Sequence, residues 1–204
     1  VALYTAEKLL QKGAVVTTFS DSKGYIRCED GFSIDQLLQI RELKEEKRGR
    51  LSDYEAEGVQ YFEGKKPWDG QYDIAFPCAT QNEVDMEAAK DIKNAGARYV
   101  CEGANMPLTS EATEFLFEQD VVLAPAKAAN AGGVGVSGLE MTQNSQRLPW
   151  SCERVENTLK ETMQNIHSIC KRYGMTEGKI DYIKGANIGG FVKVADAMLA
   201  YGTL

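Results

Sequence analysis

The fold is decided by the stretch Lys127-Ala128-Ala129-Asn130-Ala131-Gly132-Gly133-Val134-Gly135-Val136-Ser137-Gly138-Leu139-Glu140-Met141. It follows a short apolar run, residues 121–124, which is typical of a buried strand that ends before Pro125. The glycines that come next allow a ligand to approach the backbone closely, because they carry no Cβ atom. A segment of helical character then occupies residues 139–148. The stretch therefore predicts a connection from a strand to a helix beside a ligand.

Two side chains of this connection are candidate binding residues. A helix that begins near Gly133 places Val134 and Ser137 three residues apart on one face of its first turn. An apolar side chain and a hydroxyl then face a cleft, beside free backbone N–H groups that favour anions. A glycine-rich connector with only a packing role is the alternative interpretation.

Working outward, short apolar strands alternate with helices along the chain. Strands are predicted at residues 14–19, 73–76, 98–101 and 121–124, and helices at residues 2–11, 34–48, 84–93 and 109–117. This alternation predicts an α/β fold with a mostly parallel sheet. Small and amide residues follow the strands, at the edge where open parallel sheets bind ligands. These strand-end residues are Ser20 and Asp21, then Ala79, Thr80, Gln81 and Asn82, then Gly103, Ala104 and Asn105, and finally Ala129, Asn130 and Ala131. Turn formation is the other role open to such asparagines and glutamines.

The first helix and strand are typical of the second half of a dinucleotide-binding βαβ unit. Gly13 ends the helix, the predicted strand follows, and the acidic Asp21 comes at its end. In such a unit a first strand and a glycine-rich loop precede the helix. We therefore expect the chain to begin inside a unit, as part of a longer protein.

Three cations recur near the end of the second predicted helix. Lys44, Lys47 and Arg50 complement the helix dipole in one interpretation. In the other they form a patch near Asp21 and Ser22 that meets a phosphate.

Composition excludes several classes of function. The net charge of -7 argues against a nucleic-acid or anionic-membrane partner. Five scattered cysteines and a single histidine, His167, argue against a zinc site or a disulfide framework and indicate a reducing cytoplasm. No apolar run reaches membrane-spanning length. Helices predominate after Ser151, and they are expected to pack on the sheet or on a part of the protein outside this sequence.

Several long motifs are similar, in the same order, to those of hexameric glutamate dehydrogenases of the Glu/Leu/Phe/Val dehydrogenase family. They span residues 77–83, 102–107, 127–134, 137–144 and 185–191. The resemblance implies a Rossmann-like fold: residues 1–150 form a dinucleotide-binding domain without its first strand and glycine-rich loop, and residues 151–204 form C-terminal helices. It also implies that the substrate domain and its catalytic residues lie elsewhere in the parent. This chain alone is therefore expected to be inactive, with no catalytic residue and no metal site.

The resemblance assigns roles to residues by position. Asp21 and Ser22 are expected at the adenosine ribose, and Val134 and Ser137 at the substrate's side chain. The expected cofactor-binding residues are Asp21, Ser22, Lys44, Lys47, Arg50, Ala79, Thr80, Gln81, Asn105 and Asn130. Asn105 and Asn130 fall at the nicotinamide end.

The implied activity is the reversible oxidative deamination of L-glutamate to 2-oxoglutarate and ammonium, in a cytoplasmic homo-hexamer. An amino-acid dehydrogenase for leucine, valine or phenylalanine is one alternative, but Ser137 favours a carboxylate over an apolar side chain. A non-catalytic nucleotide-binding module is another. For the cofactor, Asp21 alone indicates NAD, whereas Ser22 and the three cations favour NADP. We predict NADP, with NAD as the alternative.

Overall fold

A computed structural model describes residues 1–202, which form helices around two three-stranded sheets. The helices are α1 (Ala2–Gln11), α2 (Ile34–Arg41), α3 (Met86–Asn94), α4 (Ser110–Glu118), α5 (Ala126–Ala129), α6 (Ala131–Gln146), α7 (Cys152–Gly174) and α8 (Tyr182–Tyr201). The strands are β1 (Thr18–Asp21), β2 (Gly24–Cys28), β3 (Val59–Glu63), β4 (Ile74–Ala75), β5 (Tyr99–Cys101), β6 (Val122–Ala124), β7 (Met175–Thr176) and β8 (Lys179–Ile180).

The two larger sheets differ in direction. Strands β1, β2 and β3 pair antiparallel in that order, and β4, β5 and β6 pair parallel in that order. In the parallel sheet Ile74 is opposite Tyr99, which is opposite Val122, so the three carboxyl ends come together at one edge. Strands β7 and β8 form a small hairpin between α7 and α8.

Each sheet has its own apolar core. On the antiparallel side Ile26 of β2 and Leu37 and Ile40 of α2 are almost completely buried in one apolar cluster. On the parallel side α3 and α4 cover the sheet. Their contribution to that core is Ala88, Ala89, Ile92, Ala112 and Leu116, which pack with Val84, Val100 and Leu123.

The helix starts follow from local side-chain chemistry. Ser33, Thr109 and Ser151 each accept a hydrogen bond from an amide in the first turn of α2, α4 and α7. Such caps satisfy backbone donors that the helix itself leaves free. These three predicted helix starts are confirmed, as is α1 from residue 2 to residue 11.

The prediction of a first strand at residues 14–19 is wrong in its bounds and its partner. The strand begins at Thr18 and pairs antiparallel with β2, so it does not belong to the parallel sheet. The carbonyls of Val16 and Thr17 accept hydrogen bonds from the Phe32 and Cys28 amides. The opposite side of residues 14–17 faces a groove, so these residues lack the second neighbour of a central strand.

Two further boundaries differ from the sequence prediction. The second helix does not continue as an α-helix to residue 48: after Arg41 it changes to π-helical hydrogen bonding over Glu42–Glu46. Arg48 then takes a positive φ of 53°, which ends the helical path. The helix predicted to begin near Gly133 begins at Ala131, directly after α5. The predicted C-terminal region extends to residue 204, and its last two residues lie outside the described part.

Candidate functional site

The turn after β1 is fixed by one carboxylate, that of Asp21. Its Oδ1 atom accepts a hydrogen bond from the Lys23 amide at 2.9 Å. Its Oδ2 atom accepts from the Leu51 amide and from the Lys44 ammonium, both at 3.0 Å. Burial alone would raise the pKa of Asp21, but these three donors together lower it below its usual value. The carboxylate is therefore ionised and committed to donors of this chain, with 9% of its side-chain surface exposed.

Beside this carboxylate lie a cation and a hydroxyl that are open to solvent. The Arg50 guanidinium donates a hydrogen bond to Ser22 Oγ at 3.1 Å, and both residues are exposed. Lys44, by contrast, is held between Asp21 and the Gly49 carbonyl, each at 3.0 Å from its Nζ atom. We call Asp21, Ser22, Lys44 and Arg50 the ribose-end cluster. One carboxylate and two cations give the cluster a net positive charge.

Lys47 does not join this cluster. It is exposed and pairs with Glu42 at 2.9 Å, and the hydrogen bond with that carboxylate raises the pKa of Lys47. In the π-helical turn the Lys47 amide donates to the carbonyl of Glu42, five residues earlier, so these two side chains lie side by side. Of the three cations grouped by the sequence, Lys44 and Arg50 therefore belong to the cluster and Lys47 does not.

At the carboxyl end of β4 the exposed residues Ala79, Thr80 and Gln81 form a loop closed by Glu83. The Glu83 carboxylate accepts a hydrogen bond from the Ala79 amide at 2.9 Å. Burial raises the pKa of Glu83, and the Ala79 and Thr80 amides oppose that rise. The turn is therefore closed by a contact within the chain.

The loops after β4 and β5 are joined by their backbones. The Gly103 and Ala104 amides both donate to the Pro77 carbonyl, and the Asn82 amide donates to the Met106 carbonyl. Asn82 and Met106 have positive φ angles of 57° and 48°. Two neighbouring non-glycine residues in this region of φ mark a constrained edge, as is common at binding sites.

The two predicted asparagines meet at this same edge. Asn105 is exposed in the loop after β5, and Asn130 is half-buried between α5 and α6. Asn130 Nδ2 donates to the carbonyl of Ala104 at 3.1 Å, directly before Asn105. The structure therefore holds Asn130 against the residue that precedes Asn105.

Sequence reasoning missed Glu102, which lies on the same segment as Ala104 and Asn105. It directly follows β5 and accepts a hydrogen bond from the Ala126 amide, the first residue of α5, at 2.5 Å. Burial raises the pKa of Glu102, whereas the Ala126 amide and the charge of Lys127 oppose the rise. An acidic residue directly after a buried strand and before Gly103 was the available signal, because such a carboxylate needs donors.

Val134 and Ser137 lie on the exposed side of α6. Val134 is 78% exposed, and the Ser137 hydroxyl donates to the Gly133 carbonyl of its own helix at 3.2 Å. Their spacing of three on one helix places them on one face, as the sequence predicted. The hydroxyl therefore has only a weak local partner to exchange for a ligand.

A groove of about 540 Å³ separates the two larger sheets. Its walls come from α1, from residues 14–20 and from residues 67–79, together with Glu83. Ser20 and Ala79 both line it, so the groove leads from the ribose-end side of the site to the loop after β4. Of the other predicted site residues, none among those described here belongs to its lining.

Comparison with known proteins gives a consistent result over the whole described chain. The sequence profile of the Glutamate/Leucine/Phenylalanine/Valine dehydrogenase family matches residues 1–202. The chain is 55% identical to the NADP-specific glutamate dehydrogenase of Haemophilus influenzae and 50% identical to that of Escherichia coli. These matches cover 99% and 100% of this chain but 46% of each relative. The chain thus spans about half the length of the curated relatives it matches.

The solved structures agree. A glutamate dehydrogenase of Plasmodium falciparum superimposes with a TM-score of 0.96 at 44% identity, over 100% of this chain and 44% of that one. A second Plasmodium falciparum enzyme gives a TM-score of 0.94 at 45% identity. A profile match across the described residues and a structural match of this quality lead to one conclusion: the chain belongs to the Glutamate/Leucine/Phenylalanine/Valine dehydrogenase family.

Proposed function

We propose that this chain is the coenzyme-binding part of an NADP-dependent glutamate dehydrogenase. The whole protein would catalyse the reversible oxidative deamination of L-glutamate to 2-oxoglutarate and ammonium. The observation that carries the cofactor assignment is the ribose-end cluster. A carboxylate at this position ordinarily accepts hydrogen bonds from the ribose hydroxyls of NAD. Here Asp21 already accepts three hydrogen bonds from the chain itself, so it is a structural anchor and a poor ribose acceptor.

The same cluster fits the extra phosphate of NADP. Arg50 and Ser22 offer exposed hydrogen-bond donors, and Lys44 cancels the charge of Asp21. Guanidinium groups bind phosphate with short, charge-assisted hydrogen bonds. Arg50 and Ser22 would hold the phosphate, while Ala79, Thr80, Gln81, Asn105 and Asn130 would line the path to the nicotinamide. When bound, the nicotinamide supplies the hydride-transfer chemistry, and this chain supplies its position.

The groove between the sheets and the exposed apolar side chains of α6 and α8 support the proposal that this chain is one part of a larger enzyme. The groove between the two sheets has an unpaired strand edge on each side, which fits one further strand of a dinucleotide-binding domain. Exposed apolar side chains on α6 and α8, such as Met141, Phe191 and Leu199, fit a surface that a substrate domain would cover. Val134 and Ser137 would face the substrate from α6. The homo-hexamer and the cytoplasmic location are predictions from the family resemblance and the cysteine pattern.

The test is cofactor preference in the full-length protein that contains this chain. We expect higher kcat/KM with NADP than with NAD for the unmodified protein. Arg50→Ala should lower kcat/KM for NADP by ~10-fold or more, because a hydrogen bond to a charged group contributes roughly 1.5–3 kcal/mol. A Lys44→Ala, Arg50→Ala double variant should lose most of the preference. Lys47→Ala should have a smaller effect than Arg50→Ala, since Lys47 pairs with Glu42 instead.

Three outcomes would contradict the proposal. The first is a full-length protein that prefers NAD, and the second is a double variant with unchanged cofactor preference. The third is faster turnover of leucine, valine or phenylalanine than of glutamate, which would favour another amino-acid substrate.

A further inference from the structure

Helix α5 is the shortest α-helix of the site, and it is fastened at both ends to one segment of chain. At its start the Glu102 carboxylate accepts the hydrogen bond of the Ala126 amide at 2.5 Å. At its end Asn130 Nδ2 donates to the Ala104 carbonyl at 3.1 Å. Pro125, directly before α5, has no side-chain acceptor that would cap the helix, so Glu102 takes the place of an N-cap residue.

A third contact ties α5 to the C-terminal helices. Lys127 Nζ donates to Asn187 Oδ1 of α8. The positive charge of Lys127 also acts on the Glu102 carboxylate. The helix therefore lies between the carboxyl end of β5 and α8, and Glu102 is the charged member on the sheet side.

The segment that carries Glu102 has little freedom to adjust. A Cβ atom on Gly103 would lie 2.5 Å from Cys78 Sγ, and the Gly103 and Ala104 amides are both bound to the Pro77 carbonyl. Loss of the Glu102 contact would therefore move α5, and with it Asn130, more readily than it would move the segment. Burial of a carboxylate at such a place is costly, and its hydrogen bond to α5 offsets that cost.

We propose that Glu102 is a positioning residue, which through α5 sets the separation of Asn130 from Asn105 at the nicotinamide end of the site. The inference rests on the proposed function, because it gives these asparagines a cofactor to hold. Glu102 itself acts through Ala126 and Asn130. The adenosine end, held by the ribose-end cluster, is outside its reach. Loss of Glu102 should thus change turnover more than cofactor affinity.

The test uses the full-length protein with three variants. Glu102→Ala removes the acceptor, and Glu102→Gln keeps an oxygen that accepts from the Ala126 amide. Asp85→Ala is the matched control, because Asp85 caps α3 by accepting from the Ala88 amide at 2.9 Å and pairs with Lys66, neither of which belongs to α5. Hydrogen exchange of the peptide that contains α5 reports the contact directly, without turnover.

In Glu102→Ala we expect exchange of α5 to be at least ~10-fold faster, kcat to fall by ~10-fold, and KM for NADP to change by less than ~3-fold. Glu102→Gln should recover most of both losses. Asp85→Ala should speed exchange in α3 and leave kcat unchanged. The proposal is overturned if Glu102→Ala exchanges and turns over like the unmodified protein, or if the Gln variant is as impaired as the Ala variant.

The two proposals fail in different ways. A full-length protein without NADP-dependent glutamate turnover would remove the proposed function and, with it, the cofactor role given to Glu102. A protein that turns over normally while Glu102→Ala matches the Asp85→Ala control would remove only the role of Glu102.

Discussion

A single methyl group at Gly185 should separate the two long C-terminal helices. A Cβ atom built there would lie 1.9 Å from the Cys170 carbonyl oxygen and 2.7 Å from its carbon. Ordinary van der Waals contact begins near 3.4 Å, so α8 must move away from α7 by about 1.5 Å. Both contacts are with backbone atoms, so no rotation of a side chain can relieve them.

The size of the effect follows from two opposing terms. Overpacking costs about 3 kcal/mol when the obstacle is rigid, and replacement of glycine by alanine inside a helix returns about 1 kcal/mol. We therefore expect Gly185→Ala to lower the free energy of unfolding by about 2 kcal/mol. For a chain of this length that corresponds to a decrease in Tm of roughly 4–8 °C.

Gly190 on the same helix is the matched control. Apart from its own helix and chain neighbours, no heavy atom of residues 1–202 lies within 4 Å of a Cβ atom built there. Gly190→Ala should therefore raise the stability by up to about 1 kcal/mol, through helix propensity alone. Urea unfolding of the purified chain, followed by circular dichroism at 222 nm, measures both variants. The reasoning is refuted if Gly185→Ala is as stable as the parent, or if both variants shift stability in the same direction by the same amount.

Two other measurements follow from the structure. Burial raises the pKa of the Cys101 thiol to about 11, so at pH 8 about one molecule in a thousand carries the reactive thiolate at Cys101. Cys28 and Cys170 are buried and therefore shielded from a reagent in solution. Iodoacetamide at pH 8 should therefore label the exposed Cys152 first. Mass spectrometry of the labelled native protein measures this, and equal labelling of Cys101 and Cys152 would contradict the burial argument. Ser137→Ala in the full-length protein should raise KM for glutamate, or lower the preference for glutamate, by ~10-fold or more, because a hydrogen bond to a carboxylate is lost. Steady-state kinetics measure both quantities. Unchanged values would exclude Ser137 from the substrate site.

Local rules made several elements predictable from the sequence. The apolar spacing of residues 2–11 and the stop at Gly13 give α1 its observed bounds. Ser33, Thr109 and Ser151 mark helix starts because a hydroxyl can satisfy an amide only one turn away. Each of these helix boundaries depends on residues within about one turn of it, so the local sequence is enough to predict it.

The errors arise where a distant partner decides the structure. Strand β1 was placed too early because strand propensity says nothing about which segment will supply hydrogen bonds. Its partner is β2, a segment in which the sequence analysis predicted no strand. Neither β2 nor β3 was predicted, since their antiparallel pairing depends on a contact between residues 24 and 63.

Partners that are distant in the sequence also decide the hydrogen bonds of single side chains at the candidate site. The patch interpretation placed Lys44 near Asp21, and the structure shows that ion pair, whereas the role of Asp21 toward the cofactor's ribose stays a prediction. That role depends on how many donors already reach the carboxylate, and the donor from the Leu51 amide comes from thirty residues away. Lys47 was grouped with Lys44 on spacing, and a π-helical turn separates them.

The carboxylates at the candidate site have one property in common that bears on its ligand. Asp21, Glu83 and Glu102 each accept a hydrogen bond from a backbone amide of this chain. A carboxylate occupied in this way repels an incoming anion less, because the donors it faces offset its charge. The groups that remain exposed beside them include the guanidinium of Arg50 and the amide of Asn105. The anionic ligand proposed for this site would therefore meet donors at Arg50 and Asn105, although the chain as a whole carries a net charge of -7 and the exposed Asp53 lies beside Arg50.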